Sequence, residues 1–201
     1  LAVTGQQSGG GDIGVKQLDT GPVTRLTFDG RAIRPVWSRN GQYLWYGSRD
    51  STGLNLYRRR ADGTGSPELV LDLTDGVEEV LETPDTAVMI VRVSGGGGTG
   101  SAGRRIFLFR PAAGNGDSAL SPLLVSPDYN QMAPALSPDG RWLAYTSNES
   151  GRNEVYVRPF PNVEGGRWQV SRDGGNEPAW AHSGRELYFR AAMLGGSRSV
   201  V

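Results

Sequence analysis

A phrase of a dozen residues recurs along this chain, and that recurrence constrains the fold more than any other feature. It reads first as Pro35-Val36-Trp37-Ser38-Arg39-Asn40-Gly41-Gln42-Tyr43-Leu44-Trp45-Tyr46. It returns as Pro134-Ala135-Leu136-Ser137-Pro138-Asp139-Gly140-Arg141-Trp142-Leu143-Ala144-Tyr145, and again as Pro178-Ala179-Trp180-Ala181-His182-Ser183-Gly184-Arg185-Glu186-Leu187-Tyr188-Phe189. A worn copy runs from Val80 to Val91. The steps are 45 residues (35 to 80), 54 (80 to 134) and 44 (134 to 178). The long step holds a Gly/Ser insertion, Ser94 to Gly103, and a loop, Pro111 to Ser118.

Each copy reads as two strands around a tight turn. In Ser137-Pro138-Asp139-Gly140, Pro138 presets φ near −65°, Asp139 tolerates the next position and Gly140 takes positive φ. Asn40-Gly41 and Ser183-Gly184 serve the same purpose, whereas Thr86 in the worn copy resists positive φ, so its turn is expected to be the least regular. A third alternating segment follows (Asn55 to Arg58, Arg105 to Leu108, Glu154 to Val157), then a fourth (Leu69 to Leu71, Leu123 to Val125, Trp168 to Val170). Four strands in about 45 residues is the size of one β-propeller blade. Segments such as Trp142 to Tyr145 are apolar at nearly every position, which suits a blade covered on both faces.

The expected fold is therefore all-β, a β-propeller of four-stranded antiparallel blades. Whole blades are expected at 35–75, 80–128 and 134–173, with partial blades at 1–28 and 178–201, all within one domain. Leu1 to Thr4, Asp12 to Val15 and Val23 to Phe28 would be the last three strands of the first partial blade, and Ser199 to Val201 the start of a third strand in the last. The chain then reads as a piece of a larger ring; the alternative is that 1–28 pairs with 178–201 and closes a four-bladed one.

Composition agrees and narrows function. Gly (30) and Pro (12) make up 42 of 201 residues, against an average of roughly 12%, so turns abound and long helices do not. The 21 basic and 21 acidic residues cancel, leaving no electrostatic drive toward nucleic acid or an anionic membrane. The absence of cysteine removes thiol catalysis, disulfides and zinc-cysteine sites. No run is apolar enough to insert in a membrane as a helix, and the residues from Leu1 onward do not read as a leader peptide, which a fragment could have lost.

The phrases Pro-x-Trp-Ser-x-x-Gly and Ser-Pro-Asp-Gly-Arg-Trp-Leu-Ala-Tyr resemble TolB-type, WD-like propeller repeats. The stretches Ser147 to Pro161 and Gly166 to Ser171 are similar to the C-terminal propellers of bacterial eukaryotic-like serine/threonine protein kinases. Asp12-Ile13-Gly14-Val15 fits too, although Gly14 stands where that group usually carries Trp. The resemblance implies a sensor or protein-interaction domain, often extracytoplasmic or periplasmic. The kinase motifs themselves are missing, so no kinase activity transfers to these residues.

Candidate chemistry is sparse. Gly98-Thr99-Gly100-Ser101-Ala102-Gly103 fits a dinucleotide fingerprint, but a strand rather than a helix is expected after it, which makes it a loop. His182, the one histidine, occupies a turn slot. Asp85 and Asp139 lie in turns, Asp173 precedes Gly174-Gly175, and Glu78, Glu79 and Glu82 read as a solvated face. Arg58, Arg59 and Arg60 alternate faces on a strand, and Asn148-Glu149-Ser150, a glycosylation match, reads as a turn. Trp37, Trp142, Trp168 and Trp180 are expected to pack in the core, with Trp45 least certain. Catalytic, cofactor and metal residues are thus expected to be none, and the ligand-binding residues are unknown. The expected function is a non-catalytic binding or sensor propeller whose partner is a protein, a peptide or a small ligand. The alternatives are the propeller of a prolyl-oligopeptidase-like serine peptidase, whose hydrolase would carry Gly-x-Ser-x-Gly, and a TolB-like periplasmic scaffold.

Overall fold

A computed structural model describes residues 2–7, 10–18, 21–51, 53–85, 88–95, 103–111 and 118–191, with side chains from Gly11 onward and at Ala2. The chain divides into two compact units, Leu1–Val80 and Leu81–Val201. Apart from one 3-10 turn, Val163–Gly165, the regular structure described is antiparallel strand. The architecture is an all-β propeller built from four-stranded antiparallel sheets.

In the first unit, β1 (Ala2–Gln7), β2 (Gly10–Lys16) and β3 (Val23–Arg25) form the partial blade, with β2 in the middle. The whole blade follows as β4 (Ala32–Trp37), β5 (Tyr43–Arg49), β6 (Leu54–Arg60) and β7 (Glu68–Leu71), paired in that order. A single bridge, Gly11 to Ala32, joins the two into one 7-stranded sheet. Ile13, Leu26, Ala32, Leu44 and Tyr46 form the buried cluster, and the Tyr46 ring stacks on Tyr57 at 6.0 Å. Burial pushes the Tyr46 hydroxyl up to about 12. A Cβ on Gly14 would meet Val23 Cγ1 at 2.4 Å, so Val23 packs directly over this position.

The units divide on β8 (Val77–Glu82). It opens a four-stranded sheet with β9 (Met89–Ser94), β10 (Arg104–Arg110) and β11 (Ala119–Leu124). The next sheet runs β12 (Gln131–Leu136), β13 (Trp142–Ser147), β14 (Glu154–Pro159) and β15 (Trp168–Gln169), and β16 (Gly175–Trp180) pairs with β17 (Leu187–Ala191). Met89 to Val93 and Leu143 to Ser147 are buried at every position. Continuous burial of this kind needs cover on both faces of the sheet. The core of this unit is Ile90, Ile106, Leu124, Leu143, Tyr145, Tyr156 and Val163.

The turns take the anticipated geometry, with φ near 70° at Gly41, Gly140 and Gly184. Ser38 Oγ donates to Asn40 Oδ1 at 2.8 Å and accepts from the Tyr43 amide at 2.9 Å; Ser137 Oγ does the same with Asp139 (2.6 Å) and Trp142 (2.9 Å). The turn at Thr86, the insertion between Gly95 and Gly103 and the strand anticipated at Ser199 to Val201 lie outside the described residues.

The first strand of three blades carries a feature the sequence reading missed. Arg34, Ala133 and Glu177, each just before the repeated proline, have φ of 52°, 46° and 53°. Strand pairing slips at each: between Ile33 and Val36, Met132 and Ala135, Asn176 and Ala179. These are β-bulges. Proline cannot donate to the ladder, so the strand drops a pairing there and turns through the left-handed region. The strain costs about 1–2 kcal/mol at a non-glycine residue. The signal was present as a proline at a fixed place in a strand.

Candidate functional site

The blades of the two units share a local plan at the turn joining their second and third strands. Matching Ser48 with Ser147 and Tyr57 with Tyr156 places Asp50 opposite Glu149 in the repeat, and Asn55 opposite Glu154. The strand pairings Tyr57–Leu69 and Tyr156–Gln169 then match Pro67 with Arg167. Each unit has an open cleft at this place.

In the first unit the cleft measures about 440 Å³ and is lined in part by Phe28, Asp50, Tyr57, Arg59 and Pro67. Both carboxylate oxygens of Asp50 are used within the chain. Oδ1 accepts from the Gly53 amide at 3.2 Å; Oδ2 accepts from Asn55 Nδ2 at 3.0 Å and from the Tyr57 hydroxyl at 3.2 Å. Burial, and then the Asp50 carboxylate as acceptor, push the Tyr57 hydroxyl above its ordinary range.

In the second unit the cleft measures about 490 Å³ and is lined by Tyr129, Glu149, Ser150, Tyr156, Arg167 and Gln169. The Glu149 side chain is only 7% exposed. Its Oε2 accepts from Arg167, whose guanidinium lies over the Tyr156 ring at 5.7 Å. Its Oε1 is buried and has no hydrogen-bond partner. The residue that would match Asn55 is Glu154, which is itself an acceptor. Its carboxylate takes the Ser171 hydroxyl, the Arg152 guanidinium at 2.6 Å and the Gly174 amide at 3.0 Å. Burial pushes the Glu154 carboxyl up, yet these donors hold it below its usual range. A donor in the first unit is thus replaced by a spent acceptor in the second, and a buried acceptor atom without a donor carries a cost of about 1–3 kcal/mol.

The residues singled out from sequence fall elsewhere. Asp85 and Asp139 accept from Thr83 Oγ1 (2.5 Å) and Ser137 Oγ (2.6 Å) inside their turns. His182 is in a turn and Asp173 is exposed, 3.7 Å from Arg152. Glu78 on β8 pairs with Arg34 at 3.0 Å. Arg58 pairs with Glu68 at 2.7 Å and lies over Tyr43, and Arg60 also lies over Tyr43, while Arg59 turns the other way to the Leu26 and Gly63 carbonyls. Of the glycine fingerprint, Gly103 is described and leads into strand β10. No group of three or more potential metal ligands occurs among the described residues. The core assignment of the tryptophans is corrected. Trp37, Trp142 and Trp168 are 37%, 36% and 50% exposed, Trp180 is half-buried and donates its indole N–H to the Ala135 carbonyl at 3.1 Å, and Trp45 is buried. Trp142 and Trp168 meet edge to face at 5.7 Å. Each of the three lies at the end of its strand, Trp37 closing β4 and Trp142 and Trp168 opening β13 and β15.

Comparison with solved structures decides the fold type. TolB from Acinetobacter baumannii superposes over 94% of this chain with a TM-score of 0.72 at 14% identity. The fold is that of a TolB-like β-propeller. A Mycobacterium tuberculosis puromycin-hydrolyzing peptidase gives 0.69 over 99% at 14% identity, and the β-propeller domain of Cps50 (Swd1) from Myceliophteria thermophila gives 0.58 over 99% at 13%. This chain spans 45%, 36% and 65% of those three chains, less than two thirds of each. At such identities the likeness is one of fold alone. No family model matches the chain, and no curated protein matches it by sequence.

Proposed function

We propose that this TolB-like segment is a non-catalytic binding and sensing module that takes its ligand, a protein, a peptide or a small molecule, in the cleft at Glu149. The observation that carries the reading is the open cleft of about 490 Å³ whose wall holds the Glu149–Arg167 ion pair beside Tyr129, Ser150, Tyr156 and Gln169. A concave site with a few convergent polar groups is the usual form of a small-ligand site. Attachment to a bacterial serine/threonine kinase is the finer part of the proposal. It is supported by the wording of Ser147 to Pro161 and Gly166 to Ser171, and it makes the cleft an input to kinase output.

The test is deletion of this segment from the full-length gene product, with affinity capture on the intact chain. Altered autophosphorylation on deletion, and a captured partner that Glu149→Ala releases, support the reading. Unchanged kinase output together with empty capture overturns it.

A further inference from the structure

The chemistry that the second unit's cleft turns toward solvent narrows the class of ligand, given the reading of that cleft as a binding site. The Glu149 carboxylate is not part of it. Its side chain is 7% exposed, Oε2 is taken by Arg167, and Oε1 is buried. The ion pair therefore presents its positive end. The Arg167 side chain is 48% exposed, and Nη1 is the one guanidinium nitrogen with a hydrogen-bond partner among the described residues. The N–H groups of Nε and Nη2 remain. They form a planar fork on the edge away from Nη1, the shape that two carboxylate oxygens match.

The other walls supply one further donor. The Tyr129 hydroxyl lines the cleft and makes no hydrogen bond among the described residues. Ser150 and Gln169 each spend a donor on the backbone, at the Arg152 carbonyl (3.3 Å) and the Ser171 carbonyl (2.8 Å). Charge then limits the anion. A carboxylate on the fork touches the guanidinium and stands farther from Glu149, so attraction outweighs repulsion, because Coulomb energy falls with distance. A phosphate brings up to two negative charges to an arginine already shared with Glu149, which raises the repulsion without adding a cation. A cation would meet Arg167 itself. Glu149 at Nη1, and the Tyr156 ring 5.7 Å from the guanidinium carbon, fix the fork before a ligand arrives. The cleft volume of about 490 Å³ lies within the roughly 300–1,000 Å³ typical of small-ligand sites, so the ligand extends beyond its acid group. Pro67 stands in place of Arg167 in the first unit, so the assignment belongs to the second unit alone.

We propose that this cleft binds a monoanionic carboxylate, the acid group of a free organic acid or of a peptide C-terminus. Both oxygens take the Arg167 fork, and Tyr129 donates its hydroxyl to the bound molecule. Arg167 keeps its pairing with Glu149 throughout.

The experiment is ligand-observed NMR on the full chain at one fixed ionic strength. The probes are benzoate and N-acetylglycine. The controls are their carboxamides, benzamide and N-acetylglycinamide, with inorganic phosphate and methylammonium, each up to about 50 mM, a range that reaches weak millimolar affinities. The expected result is saturable binding of at least one carboxylate, tighter than its own carboxamide by about ten-fold or more, the gain expected from a charged hydrogen-bonded pair. Arg167→Lys keeps a cation beside Glu149 and removes the fork, and should weaken binding about ten-fold. Tyr129→Phe should weaken it about five-fold, the worth of one hydrogen bond. The comparison of acid with amide on the parent chain stands even where a variant folds poorly. N-acetyl-triglycine binding more tightly than N-acetylglycine indicates a peptide C-terminus; equal affinity indicates a free acid. Equal binding of acid and amide, or carboxylate binding indifferent to Arg167→Lys, overturns the assignment. Silence of both carboxylates, while another probe binds and Tyr129→Phe weakens it, also overturns the assignment and leaves the cleft a binding site. Silence of every probe, together with empty capture, removes the binding-site reading as well.

Discussion

Asp50 and Glu149 hold the same place in the repeat, one in each unit, and the chain treats them differently. The first carboxylate is closed: Gly53, Asn55 and Tyr57 saturate both oxygens. The second is half open: Arg167 holds Oε2 while Oε1 has no partner. The divergence starts two residues before the conserved tyrosine, where Asn55 can donate and Glu154 cannot. A repeat can therefore leave one carboxylate oxygen without a donor by changing a neighbour, with the scaffold kept.

Truncation separates the two roles most sharply. Asp50→Ala removes three hydrogen bonds and leaves the Asn55 amide and Tyr57 hydroxyl short of an acceptor, so it is expected to cost about 3 kcal/mol of stability. Glu149→Ala removes one ion pair to a half-exposed arginine and also deletes the unsatisfied oxygen, so about 1 kcal/mol or less is expected. Urea unfolding of both variants against the parent chain measures the gap. Equal losses would mean that Glu149 is as structural as Asp50.

The sequence carried the blade plan well because strands, turns and period are local properties. Gly41, Gly140 and Gly184 announce their positive φ, and the segments around Leu56 and Val155 alternate as strands should. The cleft was harder to read. The Asn148-Glu149-Ser150 turn was visible as a turn, but the state of Glu149 depends on Arg167, eighteen residues on, and on what Glu154 does with Ser171 and Gly174. Nothing in the residue types fixes which donors reach which oxygen. The tryptophans failed for a related reason: a consensus place in a strand says nothing about whether that strand end is covered. The replacement of a side-chain amide by the Glu154 carboxylate is the one signal in the sequence that points to Glu149, and it is visible only once Asn55 is aligned with it.

The paired turns give a second, smaller contrast. Gly41 and Gly140 share a φ near 70°. A Cβ on Gly41 meets nothing within 4 Å, while on Gly140 it meets Pro84 Cγ at 2.6 Å and Cδ at 2.9 Å. Gly41→Ala should therefore cost only the left-handed penalty, about 1 kcal/mol. Gly140→Ala adds a clash with a ring that cannot swing away, and about 2–3 kcal/mol is expected. Thermal midpoints of the two variants decide it. If they match, the Pro84 turn yields freely and does not brace the Gly140 turn.

The least disruptive test lies one residue earlier in those same turns. Asn40 Oδ1 accepts from the Ser38 hydroxyl and the Gln42 amide at 2.8 and 2.9 Å. Asp139 Oδ1 accepts from Ser137 and Arg141 at 2.6 and 3.0 Å, so the two side chains do the same geometric work. Only Asp139 titrates. The Ser137 hydroxyl first, then the Arg141 amide and guanidinium, hold its carboxyl down at about 2. A carboxyl lowered on folding contributes stability that is present above its unfolded value, near 3.9 by ordinary reference, and is lost as pH falls toward 2. Asp139→Asn should keep the turn, because Asn40 already shows that an amide suffices. It should also flatten the acid limb: the parent chain loses stability between about pH 4 and pH 2, and the variant loses less over the same range. Asn40→Asp is the reciprocal change and should add an acid-sensitive step to the first unit. If neither substitution alters the slope, the hydrogen bonds of these turns are indifferent to charge, and the two units differ in their clefts but not in how their turns respond to acid.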